Sequence, residues 1–293
     1  MRVSHVVAAV LVALGVSSNA LAQPASAPAQ PCGLAPVAGV VQHLSSGGQQ
    51  RTYRLFVPKG SGGFDGRTRL PLVLDLHGSG GTAADQARTS GFETLAAREG
   101  VVVATLQAEA SRWNVPVADT RSDDVVYVSD VIDHVGARVC TDPARVYATG
   151  FSGGGRMASL LGCRLNTRIA AIAPMAGLRW PGPCDGRPIP VLTFHGLADA
   201  QNPYAGHAAG RGAEWLESVP DALADWARHN GCDADVIRED PPGPLSTVRY
   251  AGCDGGAEVR LIRIDGLGHS WAREDIDATA AMWQFFRSHV LPR

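Results

Sequence analysis

The chain has 293 residues, 45% of them hydrophobic and 18% charged, with a formal net charge of −2. That length fits a single α/β domain, and that composition leaves little room for a long disordered region. The near-neutral balance supplies no basic face to attract nucleic acid or an anionic membrane surface.

The chain opens on a pattern expected of a secretory signal peptide over residues 1–22: Arg2, an apolar run from Val6 to Val16, then Ala20-Leu21-Ala22 as a cleavage site. The apolar run falls short of the ~20 residues that span a bilayer, so no membrane partner is expected after cleavage. Losing Arg2 leaves 25 basic against 28 acidic residues, a net charge of −3. The following "PASAPAQP" is Pro/Ala-rich, so residues 23–50 are expected to form a leader and a short N-terminal segment ahead of a main domain over 51–293. All six cysteines lie beyond the cleavage site, an even count in an exported chain, which points to three disulfides. No Cys-x-x-Cys spacing argues for zinc or redox chemistry.

"TYRLFV" (52–57) alternates polar and apolar residues and predicts an early edge hairpin strand. "LPLVLDL" (70–76), "GVVVATL" (100–106) and "RVYATG" (145–150) are apolar on both sides, as buried parallel strands are; so are "IAAIAPM" (169–175), "IPVLTFH" (189–195) and "EVRLIRI" (258–264). Between them, Ser122 is expected to cap a helix that carries Val128, Val131, Ile132 and Val135 on one face. A last helix over roughly 274–289 shows Ala278, Ala281, Met282, Phe285 and Phe286 at the same period. Strands alternating with helices predict one mostly parallel sheet covered on both faces, with ligands at the carboxyl ends of the strands.

"YATGFSGGGRMA" (147–158) places Ser152 in a Gly-x-Ser-x-Gly directly after a strand and before a helix, the setting of a nucleophile elbow. Gly150 and Gly154 would allow the close approach that this turn needs. A serine hydroxyl requires a base and an orienting carboxylate, which in this fold follow in the order acid, then histidine. Asp199 lies just beyond the strand in "PVLTFHGLAD" (190–199), and His269 lies in the loop after "VRLIRI", between glycines in "DGLGHSW" (265–271). Asp265 is a weaker candidate for the acid, because it sits at the strand end itself. Asp75 and Asp185, and His207, His229 and His289, have structural readings. "DLHGSGG" (75–81) exposes backbone N–H groups in a loop after an early strand, which assigns the oxyanion donors to the N–H groups of Ser79 and Gly153. His77 is read as a histidine that pins that loop.

"LHGSGG", "SRWN" (111–114), "RVYATGFSGGG", "HGLAD" and "GLGHSW", in this order, resemble the secreted esterases grouped as polyhydroxybutyrate depolymerase-like and feruloyl esterase-like, within the α/β-hydrolase superfamily. The resemblance runs from about Arg51 to the end. It implies the α/β-hydrolase fold in a single domain and a Ser-His-Asp ester hydrolase that uses no metal and no cofactor. It also implies an ester substrate, in the first place a feruloyl or related phenolic ester on plant polysaccharide and in the second a hydroxyalkanoate oligomer. Members often carry Asn after the nucleophile, where this chain has Gly153, and Pro-Gly where it has Ala272-Arg273. Trp113, which the resemblance sets near the oxyanion loop, and Trp271, two residues from His269, are candidates for the wall of an acyl pocket that stacks an aromatic acid. Trp180, Trp215, Trp226 and Trp283 read as packing. A non-catalytic binding protein on the same fold and a peptidase are the alternatives of another class.

The ends of the strand before Ser152 and of the helix after it return to the same edge of the sheet, so Cys140 is expected to pair with Cys163. Cys232 and Cys253 should close the excursion between them, leaving Cys32 for Cys184. The short segments between strands leave no large hydrophobic lid, so an open cleft is expected.

Overall fold

In the computed structural model the described residues are 1, 36–59, 68–115, 120–207 and 217–292. The signal-peptide and leader readings, Cys32 and Trp215 fall outside them. Pro31–Arg293 forms one compact unit. Its centre is a sheet of ten strands among the described residues: β1 Val37–Ser46, β2 Gln49–Val57, β3 Leu70–Leu76, β4 Val102–Leu106, β5 Thr141–Phe151, β6 Ala171–Met175, β7 Val191–Gly196, β8 Val236–Glu239, β9 Leu245–Tyr250 and β10 Val259–Ile264. They lie in the order β1-β2-β4-β3-β5-β6-β7-β10-β9-β8. The six central strands from β4 to β10 pair in parallel, and an antiparallel pair flanks them at each end.

Five of the six central strands have seven residues or fewer and β5 has eleven; β3, β4, β6 and β7 are buried throughout. Their side chains feed two cores. On one face Leu72, Leu74 and Leu76 of β3 meet α3 (Asp124–Gly136), α4 (Gly153–Arg164) and α5 (Val219–His229). On the other, Val73 of the same strand joins α2 (Phe92–Glu99) and α6 (Ala278–Arg287). The Tyr147 ring of β5 stacks on Phe286 of α6 at 4.8 Å, a contact worth about 0.5–1.5 kcal/mol beyond the area it buries. The remaining helix, α1 (Ala83–Ser90), starts from Thr82, whose hydroxyl caps Asp85 N–H at 3.1 Å.

Some boundaries differ from the sequence expectation. The cap of α3 is Asp123, whose carboxylate accepts Val125 N–H and Val126 N–H, rather than Ser122. Ser122 instead directs its hydroxyl toward the side chains of Gln49 and Glu109. The sheet already includes β1, ahead of Arg51, and the excursion between Cys232 and Cys253 contains the β8–β9 hairpin.

The disulfides correct two of the three expected pairings. Cys232 does pair with Cys253, but Cys163 pairs with Cys184 and not with Cys140. The rule that brought Cys140 and Cys163 together does not discriminate, because the loop from β6 to β7 also descends to the sheet edge where α4 ends. Asn166, just past α4, fastens that loop by donating to Asp185 O at 2.6 Å. Cys140 is disulfide-bonded as well, and Cys184, taken by Cys163, is not available to Cys32.

Candidate active site

Ser152 sits between β5 and α4 at φ 54° and ψ −113°, a conformation that residues with a β-carbon adopt only where their surroundings enforce it. The enforcement is visible on both sides. Ser152 N–H donates to Met175 O of β6 at 2.9 Å, and Ser152 O accepts Arg156 N–H from the first turn of α4 at 3.0 Å. Neighbouring backbone crowds the turn: a β-carbon on Gly154 would stand 2.1 Å from Leu76 O, and one on Gly150 would stand 2.6 Å from the Gly154 carbonyl carbon.

The residues expected as acid and base come from the second and third strands beyond β5 along the sheet, past β6. Asp199 follows β7 and His269 follows β10, and His269 Nδ1 lies 2.7 Å from Asp199 Oδ2. Asp199 Oδ1 accepts the N–H groups of Gln201 and Asn202 at 2.9 and 2.8 Å. Burial pushes the Asp199 carboxyl up, but the bonds from His269 and Asn202 outweigh it and hold the pKa below the ordinary value. An ionised carboxylate only accepts, so the imidazole proton resides on Nδ1 and leaves Nε2 as the basic atom. The Phe151 ring packs 4.7 Å from the imidazole and fixes its other face.

Asn202 itself is buried and ties the acid loop down by donating to Ala176 O at 2.5 Å. Behind it, His195 Nε2 bonds Asn202 O at 2.7 Å and faces Asp199 Oδ2 at 3.7 Å. Since a carbonyl only accepts, that nitrogen is protonated, and burial keeps the ring neutral by pushing its pKa down. Neither Asn202 nor His195 carried a motif signal beyond its place in "FHGLADAQN".

The loop expected to hold the oxyanion follows β3. His77 Nε2 accepts Ala108 N–H at 3.0 Å, so its proton is on Nδ1, which donates to Gly78 O at 2.8 Å. This histidine therefore pins the loop, as the sequence suggested. Gly80 N–H donates to Ser111 O at 2.8 Å, which fastens the loop to the segment before Trp113. Ser79 and Gly153 are in direct proximity: a β-carbon on Gly153 would lie 2.4 Å from Ser79 Oγ and 3.1 Å from Ser79 N.

Ser152 and His269 line one cleft of about 740 Å³ together with Gly78, Ser79, Trp113 and Asn202. Trp113 forms part of its wall while its indole N–H donates to His77 O at 2.7 Å. Trp271 does not belong to that lining. Its indole N–H donates to Thr279 Oγ1 at 3.0 Å, and it packs in the α6 core, because the chain after His269 turns away from the cleft toward α6. Asp265 is exposed. Asp75 is buried and accepts from Gln86 and Ser90 at 2.7 and 2.5 Å. His229 packs beside Trp180, and His289 bonds Phe285 O, both away from the cleft.

The description "Esterase PHB depolymerase" belongs to the family model that matches residues 51–182. A probable feruloyl esterase C of Aspergillus clavatus is 30% identical over 292 residues, covering 95% of this chain and 96% of that protein. The chain belongs to the polyhydroxybutyrate depolymerase-like and feruloyl esterase-like α/β-hydrolase esterases. Feruloyl esterase B of Piromyces equi is also 30% identical to this esterase, over 253 residues that make up 82% of the chain and 46% of that longer protein. In three dimensions the esterase shares its fold with the acetyl xylan esterase from Aspergillus awamori, at a TM-score of 0.62 and 14% identity, over 85% of this chain and 99% of that one. It is a carboxylic ester hydrolase.

Proposed function

We propose that the esterase is exported and hydrolyses its substrate through an acyl-enzyme on Ser152. The observation that carries this reading is the strained Ser152 in the same cleft as the His269–Asp199 pair. Ser152 Oγ attacks the ester carbonyl while His269 Nε2 takes its proton, and Asp199 stabilises the imidazolium that forms. The oxyanion is received by the N–H groups of Ser79 and Gly153. The tetrahedral intermediate collapses with transfer of the proton from His269 to the leaving alcohol. Water, deprotonated by the same imidazole, then releases the acid and restores Ser152.

A feruloyl or related phenolic ester on plant polysaccharide is the favoured substrate. Its support is the feruloyl esterase relatives; Trp113 borders the cleft but is only 3% exposed, so its part is to pack the wall rather than to stack an aromatic acid. A hydroxyalkanoate oligomer is the second reading, favoured by the match to the depolymerase family model. Export is supported by the disulfides, which persist in oxidising compartments. Among the described residues no helix is long and apolar enough to cross a membrane.

The test is fluorophosphonate labelling of Ser152 followed by turnover of methyl ferulate, short p-nitrophenyl esters and hydroxybutyrate oligomers. Labelling with fastest turnover of methyl ferulate is expected. A protein that neither labels nor turns over any of these esters would be a binding protein instead.

A further inference from the structure

Three arginines line the cleft, Arg112, Arg121 and, from the first turn of α4, Arg156, and none of the described residues lining it is acidic. A chain with 28 acidic and 26 basic residues has no general positive field, so this concentration of charge is local. The segment that carries Arg112 is held in place by unusual means. Ala110 and Ser111 adopt φ values of 46° and 56°, a left-handed pair that residues with a β-carbon rarely take, and Ser111 O is fixed by Gly80 N–H of the oxyanion loop. Arg121 then braces the same segment by donating to Arg112 O and Trp113 O, both at 2.7 Å.

Neither Arg112 nor Arg121 forms an ion pair among the described residues. Two carboxylates, Glu109 and Asp124, line an adjoining depression that shares both arginines. Asp124 is already engaged by Arg51 at 2.7 Å and by Asn114 N–H at 2.6 Å, and Glu109 accepts from the Ser122 hydroxyl. Two guanidinium groups lining a cleft, without carboxylate partners among the described residues, suit a planar anion that both can approach with paired N–H donors.

We infer that this esterase selects esters that carry a second, ionised carboxylate, received by Arg112 and Arg121 while the scissile carbonyl lies at Ser152. The inference rests on the reading of Ser152 and His269 given above. Two sources present this chemistry. The carboxylate belongs either to the leaving alcohol, as in an ester of an acidic sugar or a hydroxy acid, or to the acyl group, as in a half-ester of a dicarboxylic acid.

The experiment compares kcat/KM within two matched pairs, 3-acetoxybutyrate against 3-acetoxybutyramide for the alcohol side and monoethyl succinate against ethyl succinamate for the acyl side. The wild-type enzyme is expected to prefer the carboxylate roughly tenfold in at least one pair, and the pair that responds identifies the source. The preference should shrink toward unity at about 0.5 M salt, because both arginines are exposed. In Arg112→Gln/Arg121→Gln the ratio should fall to about one, whereas Arg112→Lys, which keeps the charge, should retain most of it. A ratio measured within one enzyme cancels any loss of folded protein or of general reactivity. Equal turnover of both members of both pairs by the wild type overturns the inference, and so does a preference that survives in the double variant. Absence of turnover of every ester, charged or neutral, together with failure to label with fluorophosphonate, would instead sink the reading of the site itself.

Discussion

A β-carbon on Gly153 would stand 2.4 Å from the Oγ of Ser79 and 3.1 Å from its nitrogen, so the two proposed oxyanion donors constrain each other's identity. Gly153→Ala is expected to push the Ser79 loop away and lower kcat at least roughly tenfold, a part of what losing a whole donor costs. Adding Ser79→Ala removes the closer of the two clashes and should restore some of the loss, a non-additivity that a double-mutant cycle reads directly. Full activity in Gly153→Ala alone would mean that the oxyanion is held elsewhere.

Ser152→Ala should abolish acyl-enzyme formation and lower kcat on the order of 10⁴-fold or more, with His269→Ala costing about as much, since the group acts as a unit. Unaltered melting curves for both variants would locate the loss in the chemistry.

The assignment of the acid can be decided by two substitutions. Asp199→Asn should lower kcat on the order of 10⁴-fold, because the amide no longer holds the Nδ1–H form of His269. Asp265→Asn, at an exposed strand end, should leave kcat within about twofold. The reverse order of effects would exchange the two roles. Asp199 also contributes to stability against acid: with its folded pKa below the unfolded one, that contribution is complete above about pH 4 and is lost as pH falls through the folded value.

Asp75 has the opposite sign. Burial pushes its pKa up to about 7, only partly offset by the bonds from Ser90 and Gln86. Between about pH 4, where the unfolded carboxyl ionises, and pH 7, folding must retain a proton, so the wild type loses stability as pH rises through that window. Asp75→Asn should therefore raise Tm relative to wild type by a few degrees more at pH 8 than at pH 5. A difference that stays constant between those values would show that Asp75 does not titrate there.

Peptide mapping without reduction should link the peptide of Cys163 to that of Cys184, and Cys232 to Cys253. A Cys140–Cys163 peptide would contradict the structure.

The parts of this molecule that were legible in the sequence are those whose physics is local. Four of the six central strands, β3, β4, β6 and β7, are short runs buried on both sides, and Gly-x-Ser-x-Gly between strand and helix marks a turn that few other residues tolerate. The pairing of Asp199 with His269 could be expected because chain order and strand ends together leave few candidates. The β8–β9 hairpin was missed because its strands are half exposed and flank a Pro-rich turn, so no apolar alternation marks them. Trp271 was misplaced because sequence distance from His269 does not tell which way the chain turns. The grouping of Arg112, Arg121 and Arg156 has no one-dimensional signature, since α4 and the Trp113 segment meet only in the folded cleft.

The parallel pairing of β7 with β10 runs from Val191 opposite Val259 to Gly196 opposite Ile264, and the loops beyond are laced by Leu197 N–H to Ile264 O at 3.0 Å and Ala198 N–H to Leu267 O at 3.1 Å. The spacing of Asp199 and His269 is thus set largely by backbone close to the two strand ends, and the β8–β9 hairpin, farther along the chain that joins them, supplies none of these bonds. That hairpin includes the exposed turn at 240–243, the outermost connection of the sheet. A polymer-anchoring module spliced into this turn should be carried as cargo, changing where the enzyme works without changing how its acid meets its base.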